Sequence, residues 1–268
     1  MSILEINPLR AFIKNLILEN RDLTEHLTPT IPQLNDTMTS LDYIIHSPVD
    51  IHLYDAEGNH AGLISNPLPN SDLIAYEAEL PNSYYLEYGE TKYAGSDGIA
   101  TTTVQLIGKE LGTFTFDINE TLGDEIIAST TFKDIPVTAS STLQMDIKTI
   151  FQSTSLQMDV DGDGAIDTEI SSGEGVTPQE LIAILKGVIK TLGLSDKNEE
   201  KLLKKVEKLE KILEKEYKKE YKKKIKTKKA FLQIIEEIKK FKKKGVLSSE
   251  EAKELIEIVE KIREGVVE

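Results

Sequence analysis

In residues 112–118, GTFTFDI, the apolar Phe114, Phe116 and Ile118 alternate with Thr113, Thr115 and Asp117. A period of two sends the apolar trio to one face of an extended strand and the polar residues to the other. The same rhythm recurs at 49–54 (VDIHLY) and 143–147 (LQMDI). Between such runs lie Asp55-Ala-Glu-Gly58-Asn59, Pro81-Asn82-Ser83, Ser96-Asp97-Gly98 and Leu122-Gly123-Asp124. These are turn-forming clusters, because glycine, asparagine and aspartate tolerate the backbone angles that reverse a chain. Seven to nine short strands at this spacing predict an antiparallel β-sandwich, Ig-like or jelly-roll-like, over residues 39–172.

Outward from the strands the period changes. On the C-terminal side, Thr177-Pro178-Gln179-Glu180 combines a capping box with proline at the first helical position and opens a helix. A second helix carries Leu202, Val206, Leu209, Leu213 and Tyr217. A third carries Phe231, Ile234, Ile235, Ile238 and Phe241. A fourth, capped by Ser248 with Glu251, carries Leu255, Ile258, Val259 and Ile262. Apolar residues at three-and-four spacing with short connections predict an antiparallel helical bundle over 176–268. On the N-terminal side, Asn7-Pro8 starts a short helix to about Glu19, followed by a polar connector to residue 38. The chain is thus expected to be multidomain: terminal helix and connector (1–38), sandwich (39–172) and bundle (176–268).

Charge separates the same regions. The chain has 268 residues with 32 basic and 46 acidic side chains. Residues 1–192 hold 9 basic and 29 acidic ones, and residues 193–268 hold 23 and 17. The absence of cysteine excludes disulfides, thiolate zinc sites and a cysteine nucleophile. No run of about 18 apolar residues is present, so no membrane insertion is expected. The opening MSILEINPLR lacks the basic head of a secretory signal, which places any export signal upstream.

The sharpest chemical signal lies in Leu156-Gln-Met-Asp159-Val-Asp161-Gly162-Asp163-Gly164-Ala165-Ile166-Asp167. Carboxylates at alternate positions, interrupted by glycines that allow a sharp turn, are what a loop needs to wrap oxygen ligands around one calcium ion. The expected ligands are Asp159, Asp161, Asp163 and Asp167 with the carbonyl of Ala165. An EF-hand would require a bidentate glutamate at the twelfth position, where Ile170 stands, with Glu169 one place early. The flanks are strand-like, so the pattern is closer to the aspartate-rich repeats of dockerin or thrombospondin type. Its effect on stability is expected to fall on the sandwich.

Two further features admit binding roles. The basic stretch 215–229 (KEYKKEYKKKIKTKK) interleaves Tyr217 and Tyr221 with lysines, as a surface for a glycan or an anionic polymer would. The nearby Glu207, Glu210, Glu214, Glu216 and Glu220 make a solvated helix face with helical ion pairs the simpler reading, and nucleic acid is not expected. Tyr84, Tyr85, Tyr88 and Tyr93 suggest either sugar stacking or sandwich packing, the latter favoured because tryptophan is absent. His26, His46, His52 and His60 lack metal-ligand spacing and read as surface or turn residues. With no Gly-x-Ser-x-Gly elbow, phosphate-cradling glycine loop or His-Glu-x-x-His, no catalytic residue is assigned.

Two resemblances extend these readings. The segment 228–262 (KKAFLQIIEEIKKFKKKGVLSSEEAKELIEIVEKI) is similar to the FIMAH domain, a small helical module at the C-termini of extracellular prokaryotic proteins. The matching residues are Phe231, Lys244-Gly245, Ser248, Glu250, Ala252 and Leu255-Ile256. The segments 46–63 (HSPVDIHLYDAEGNHAGL), 112–118 and 158–167 (MDVDGDGAID) resemble a β-sandwich appended to secreted α/β-hydrolase lipases. Residues 2–20 are similar to the last stretch of such a hydrolase, which implies catalytic residues upstream. The expectation is a non-catalytic, calcium-binding accessory region of an extracellular protein that stabilises a parent enzyme or attaches it at the cell surface. The alternatives are a glycan- or anionic-polymer-binding module and a fragment of a lipase or esterase.

Overall fold

The computed structural model describes residues 39–46, 48–64, 75–98, 101–123, 125–150, 155–173, 175–214 and 220–267. The expected N-terminal helix and its connector lie outside these residues, as does His26. Among the described residues, twelve strands precede four helices. The strands are β1 (Thr39–His46), β2 (Val49–Tyr54), β3 (His60–Ile64), β4 (Ala75–Ala78), β5 (Tyr84–Tyr88), β6 (Thr91–Asp97), β7 (Thr102–Gly108), β8 (Gly112–Leu122), β9 (Glu125–Val137), β10 (Thr142–Ile147), β11 (Ser155–Asp159) and β12 (Thr168–Ser171). The helices are α1 (Pro178–Thr191), α2 (Asp196–Glu214), α3 (Glu220–Lys243) and α4 (Ser249–Val267).

Two antiparallel sheets form the sandwich, one in the order β5-β6-β1-β8-β9 and one in the order β12-β11-β10-β7-β2-β3-β4. The alternating residues behave as their period requires. Phe114, Phe116 and Ile118 of β8 are buried, as are Val49, Ile51 and Leu53 of β2 and Leu143, Met145 and Ile147 of β10. Tyr43, Phe116 and Phe132 form a stacked row, with ring centroids 6.2 and 6.0 Å apart. Each such fully buried side chain contributes about 1.5–3 kcal/mol of hydrophobic stabilisation.

The strand number exceeds seven to nine for a physical reason. The first half of β9 has little burial on either face, so its residues show no clean alternation. Strands β5 and β6 continue a sheet through Tyr84–Asp97, where aromatic and small residues mix. Tyr85 enters the core while Tyr88 remains 84% exposed. Tyr84 sits over Gly95, where any Cβ would strike its ring, and donates its hydroxyl to Asp42 at 2.8 Å.

The helices start where capping chemistry predicts. Thr177 accepts from the Glu180 N–H while the Glu180 carboxylate accepts from the Thr177 N–H. Ser248 and Glu251 repeat the exchange at α4. Each such cap satisfies amide groups that the first helical turn leaves without partners. Each helix packs on its neighbours in the cycle α1-α2-α3-α4-α1, around Leu185, Val206, Ile238 and Val259 among others. Helix α1 also packs on the sandwich, touching β9 and β12, so the buried residues of both parts form one continuous cluster.

Candidate metal centre

Strands β11 and β12 pair antiparallel from Ser155↔Ser171 to Met158↔Thr168, and the acidic loop closes this hairpin. The Asp167 N–H donates to the Met158 carbonyl at 2.9 Å and shuts the loop at its base. Gly162 and Gly164 adopt φ of +75° and +87°, values that favour glycine and turn the chain inside the loop. At Gly162 there is also no space for a side chain, because a Cβ would lie 2.9 Å from the Ser140 carbonyl oxygen.

The turn between β9 and β10 braces the entry to the loop. Thr138 and Ser141 both donate their hydroxyls to the Val160 carbonyl, at 3.1 and 2.9 Å. The carboxylates then order the loop's own amides. Asp159 accepts from the Gly162 and Gly164 N–H groups at 2.7 and 2.8 Å, and Asp167 accepts from the Val160 N–H at 2.8 Å. Backbone N–H donors aimed at these carboxylates fix their orientation in the loop.

Carboxylate oxygens of Asp159, Asp161 and Asp167 come within 4.8 Å of one another. Two oxygens sharing a calcium ion at 2.3–2.6 Å lie at most about 5 Å apart, so the trio fits one such ion. The hard, all-oxygen donor set suits calcium and gives no preference to softer metals. Asp163 stands outside this trio, and its carboxylate accepts the Ala165 N–H at 2.8 Å. Of the five expected ligands, three side chains therefore converge.

A cationic partner from outside the loop escaped the sequence. Lys190, in the last turn of α1, places its ammonium 2.5 Å from Asp161. That hydrogen bond, with the charges of Asp161, Asp167 and Asp163 behind it, holds Lys190 above the usual lysine range. One turn earlier on α1, Gly187 faces Val160 at the start of the loop. A Cβ on it would lie 2.5 Å from the Val160 side chain. A glycine inside an amphipathic helix was the one available signal that another segment approaches there.

The histidine reading requires correction at one position. His60 is buried, stacks on Tyr54 at 4.8 Å and joins His52 Nδ1 to Glu77 through hydrogen bonds of 3.0 and 2.9 Å. The hairpin turn at 55–59 brings His52 opposite Gly62 and Tyr54 opposite His60, which makes neighbours of two histidines eight residues apart. No family model matches the chain, and no curated protein or solved structure shows significant similarity to it.

Proposed function

We propose that this chain is a non-catalytic, calcium-binding accessory region of an extracellular protein, in which an ion in the 159–167 loop fixes the end of the sandwich against the helices. The observation that carries this reading is the convergence of Asp159, Asp161 and Asp167 in a glycine-turned loop. Three carboxylates crowded this closely repel one another unless a cation neutralises them, and Lys190 supplies only one positive charge. An extracellular setting, a FIMAH-like role for the helices and service to a parent hydrolase belong to the same proposal and rest on the residues quoted above.

Calorimetry on the whole chain tests it. Calcium at a hundredfold over its dissociation constant is expected to stabilise the fold by about 2.7 kcal/mol. Magnesium is expected to substitute poorly, because it holds its water and demands a small octahedron. Asp161→Asn, which keeps the shape and removes a charge, is expected to weaken the response sharply. Thermograms identical in chelator and in millimolar calcium would sink the proposal.

A further inference from the structure

We infer that His52 and His60 form a binding site for one divalent transition-metal ion, copper(II) above others, on the outer face of the seven-stranded sheet. The β2–β3 hairpin builds it. Asp55 accepts from the Glu57 and Asn59 N–H groups at 3.0 and 2.8 Å and from the Asn59 side-chain amide at 2.7 Å, which locks the turn. The register then sets His52 opposite Gly62 and Tyr54 opposite His60. Because Val49, Ile51 and Leu53 take the core side of β2, His52 and Tyr54 face outward, and the two histidines become diagonal neighbours on that face.

The ring nitrogens of the pair face one another. His52 Nδ1 and His60 Nε2 lie 3.0 Å apart, and the ring planes differ by only 16°. Imidazole lone pairs lie in the ring plane, so both nitrogens aim within nearly one plane. Two nitrogens held by one metal at about 2.0–2.1 Å stand about 2.9 Å apart at a right angle and about 3.3 Å apart at a tetrahedral one. The observed separation suits adjacent corners of a square plane, the geometry of copper(II) and nickel(II), and copper(II) is the tighter binder of the two. In the neutral, metal-free pair a hydrogen bond fills the gap. Its proton sits on His52 Nδ1, because His60 keeps its own on Nδ1 toward Glu77. Metal binding moves the His52 proton to Nε2 and leaves both facing nitrogens as donors of lone pairs.

The surroundings of the pair are those of a ligand site. Gly62 lies inside β3, where a Cβ would stand 2.9 Å from His60 Nε2 and 3.1 Å from His52 Nδ1, as well as 2.8 Å from the Ile51 carbonyl oxygen. A glycine inside a strand weakens it, and here the missing side chain keeps open the space beside both nitrogens. Glu77, opposite Gly62 on β4, accepts from His60 Nδ1 at 2.9 Å. A carboxylate on the far nitrogen of a metal-bound histidine fixes its tautomer, orients the ring and raises the basicity of the ligating nitrogen. Tyr54 stacks on the same ring with centroids 4.8 Å apart. His60 is thus a buried and rigid ligand, while His52 is only half-buried and leaves the remaining metal positions open to water.

Electron paramagnetic resonance of the whole chain with one equivalent of copper(II) tests the site. A tetragonal spectrum with superhyperfine splitting from two equatorial nitrogens is expected. His52→Gln is expected to remove one nitrogen from that pattern and to weaken copper binding, read by calorimetry, by roughly tenfold or more. Glu77→Gln leaves an acceptor for His60 but removes the charge, and is expected to weaken binding by about tenfold with both nitrogens retained. His46→Gln, on β1 of the other sheet, is expected to leave the spectrum and the affinity unchanged. A native-chain spectrum with oxygen ligands alone, or undiminished binding by a folded His52→Gln chain, would overturn the site. Zinc binding more tightly than copper would overturn the choice of metal. The nitrogen splitting separates this site from the all-oxygen loop at 159–167, so each can fail without the other.

Discussion

Asp50 shows how a single buried residue can hold opposing charges in place. Its carboxylate lies 3.1 Å from Lys92 and 2.6 Å from Lys109, and Lys92 also donates to the Val49 carbonyl at 2.7 Å. Asp50 and Lys92 are 7% and 5% exposed, so Asp50→Ala takes from a buried ammonium the carboxylate 3.1 Å away. Asp50→Ala is therefore expected to cost about 3–5 kcal/mol in urea unfolding, and Asp50→Leu with Lys92→Met to recover most of it. A double variant as unstable as the single one would show that shape, not charge, sets the loss. This pair was not legible in the sequence, because its members stand 42 residues apart on strands of different sheets, β2 and β6, that meet only across the sandwich. The acidic cluster was legible because Asp159, Asp161 and Asp167 fall within nine consecutive residues. Lys190 was not, since nothing in a linear reading brings the end of α1 to that loop.

At the scale of elements, capping boxes and apolar spacing announced all four helices, with Phe231, Ile234, Ile235, Ile238 and Phe241 buried on α3 as expected. Strands were legible where one face is buried and obscure where neither is, as in the first half of β9. What pairing adds is the row. Across the seven-stranded sheet, Glu169, Gln157, Gln144, Gln105, His52, Gly62 and Glu77 lie opposite one another from β12 to β4. His52 is the titratable member at the hairpin, and burial, with His60 and Lys109 beside it, lowers its pKa below the usual 6.5, although Asp50 opposes this. A depressed histidine pKa means that the unfolded chain takes the proton first. The contribution to stability is present above about pH 6.5 and is lost as pH falls through the folded-state value. His52→Gln, which continues the row of amides, is expected to flatten the decline in melting temperature between about pH 6.5 and pH 5. An unchanged slope would assign that decline to other groups.

For the whole molecule, the decisive feature is that the sandwich and the helices share a seam. Gly187 lets α1 approach Val160, Lys190 holds Asp161, and Lys261 of α4 reaches the Asp134 carbonyl at 3.3 Å. An ion at the proposed site would therefore act on the first helix as well as on the sandwich. Tyrosine distribution makes the two parts separately observable. Seven of the nine tyrosines lie in the sandwich region and tryptophan is absent, so near-ultraviolet circular dichroism reports the sandwich while the far-ultraviolet helical signal reports the bundle. Calcium is expected to raise both transitions together in the native chain. Gly187→Leu forces a side chain into Val160 at a cost of about 1–3 kcal/mol. By prising α1 from the loop, it is expected to leave the tyrosine transition calcium-sensitive while the helical one loses its shift. Lys190→Met acts on the same seam through charge, by removing a cation that competes with the ion for Asp161. Calcium affinity is then expected to rise by roughly fivefold, the scale of about 1 kcal/mol for a solvent-exposed charge pair. A helical transition indifferent to calcium in the native chain, beside a tyrosine transition that moves, would show that the seam transmits nothing.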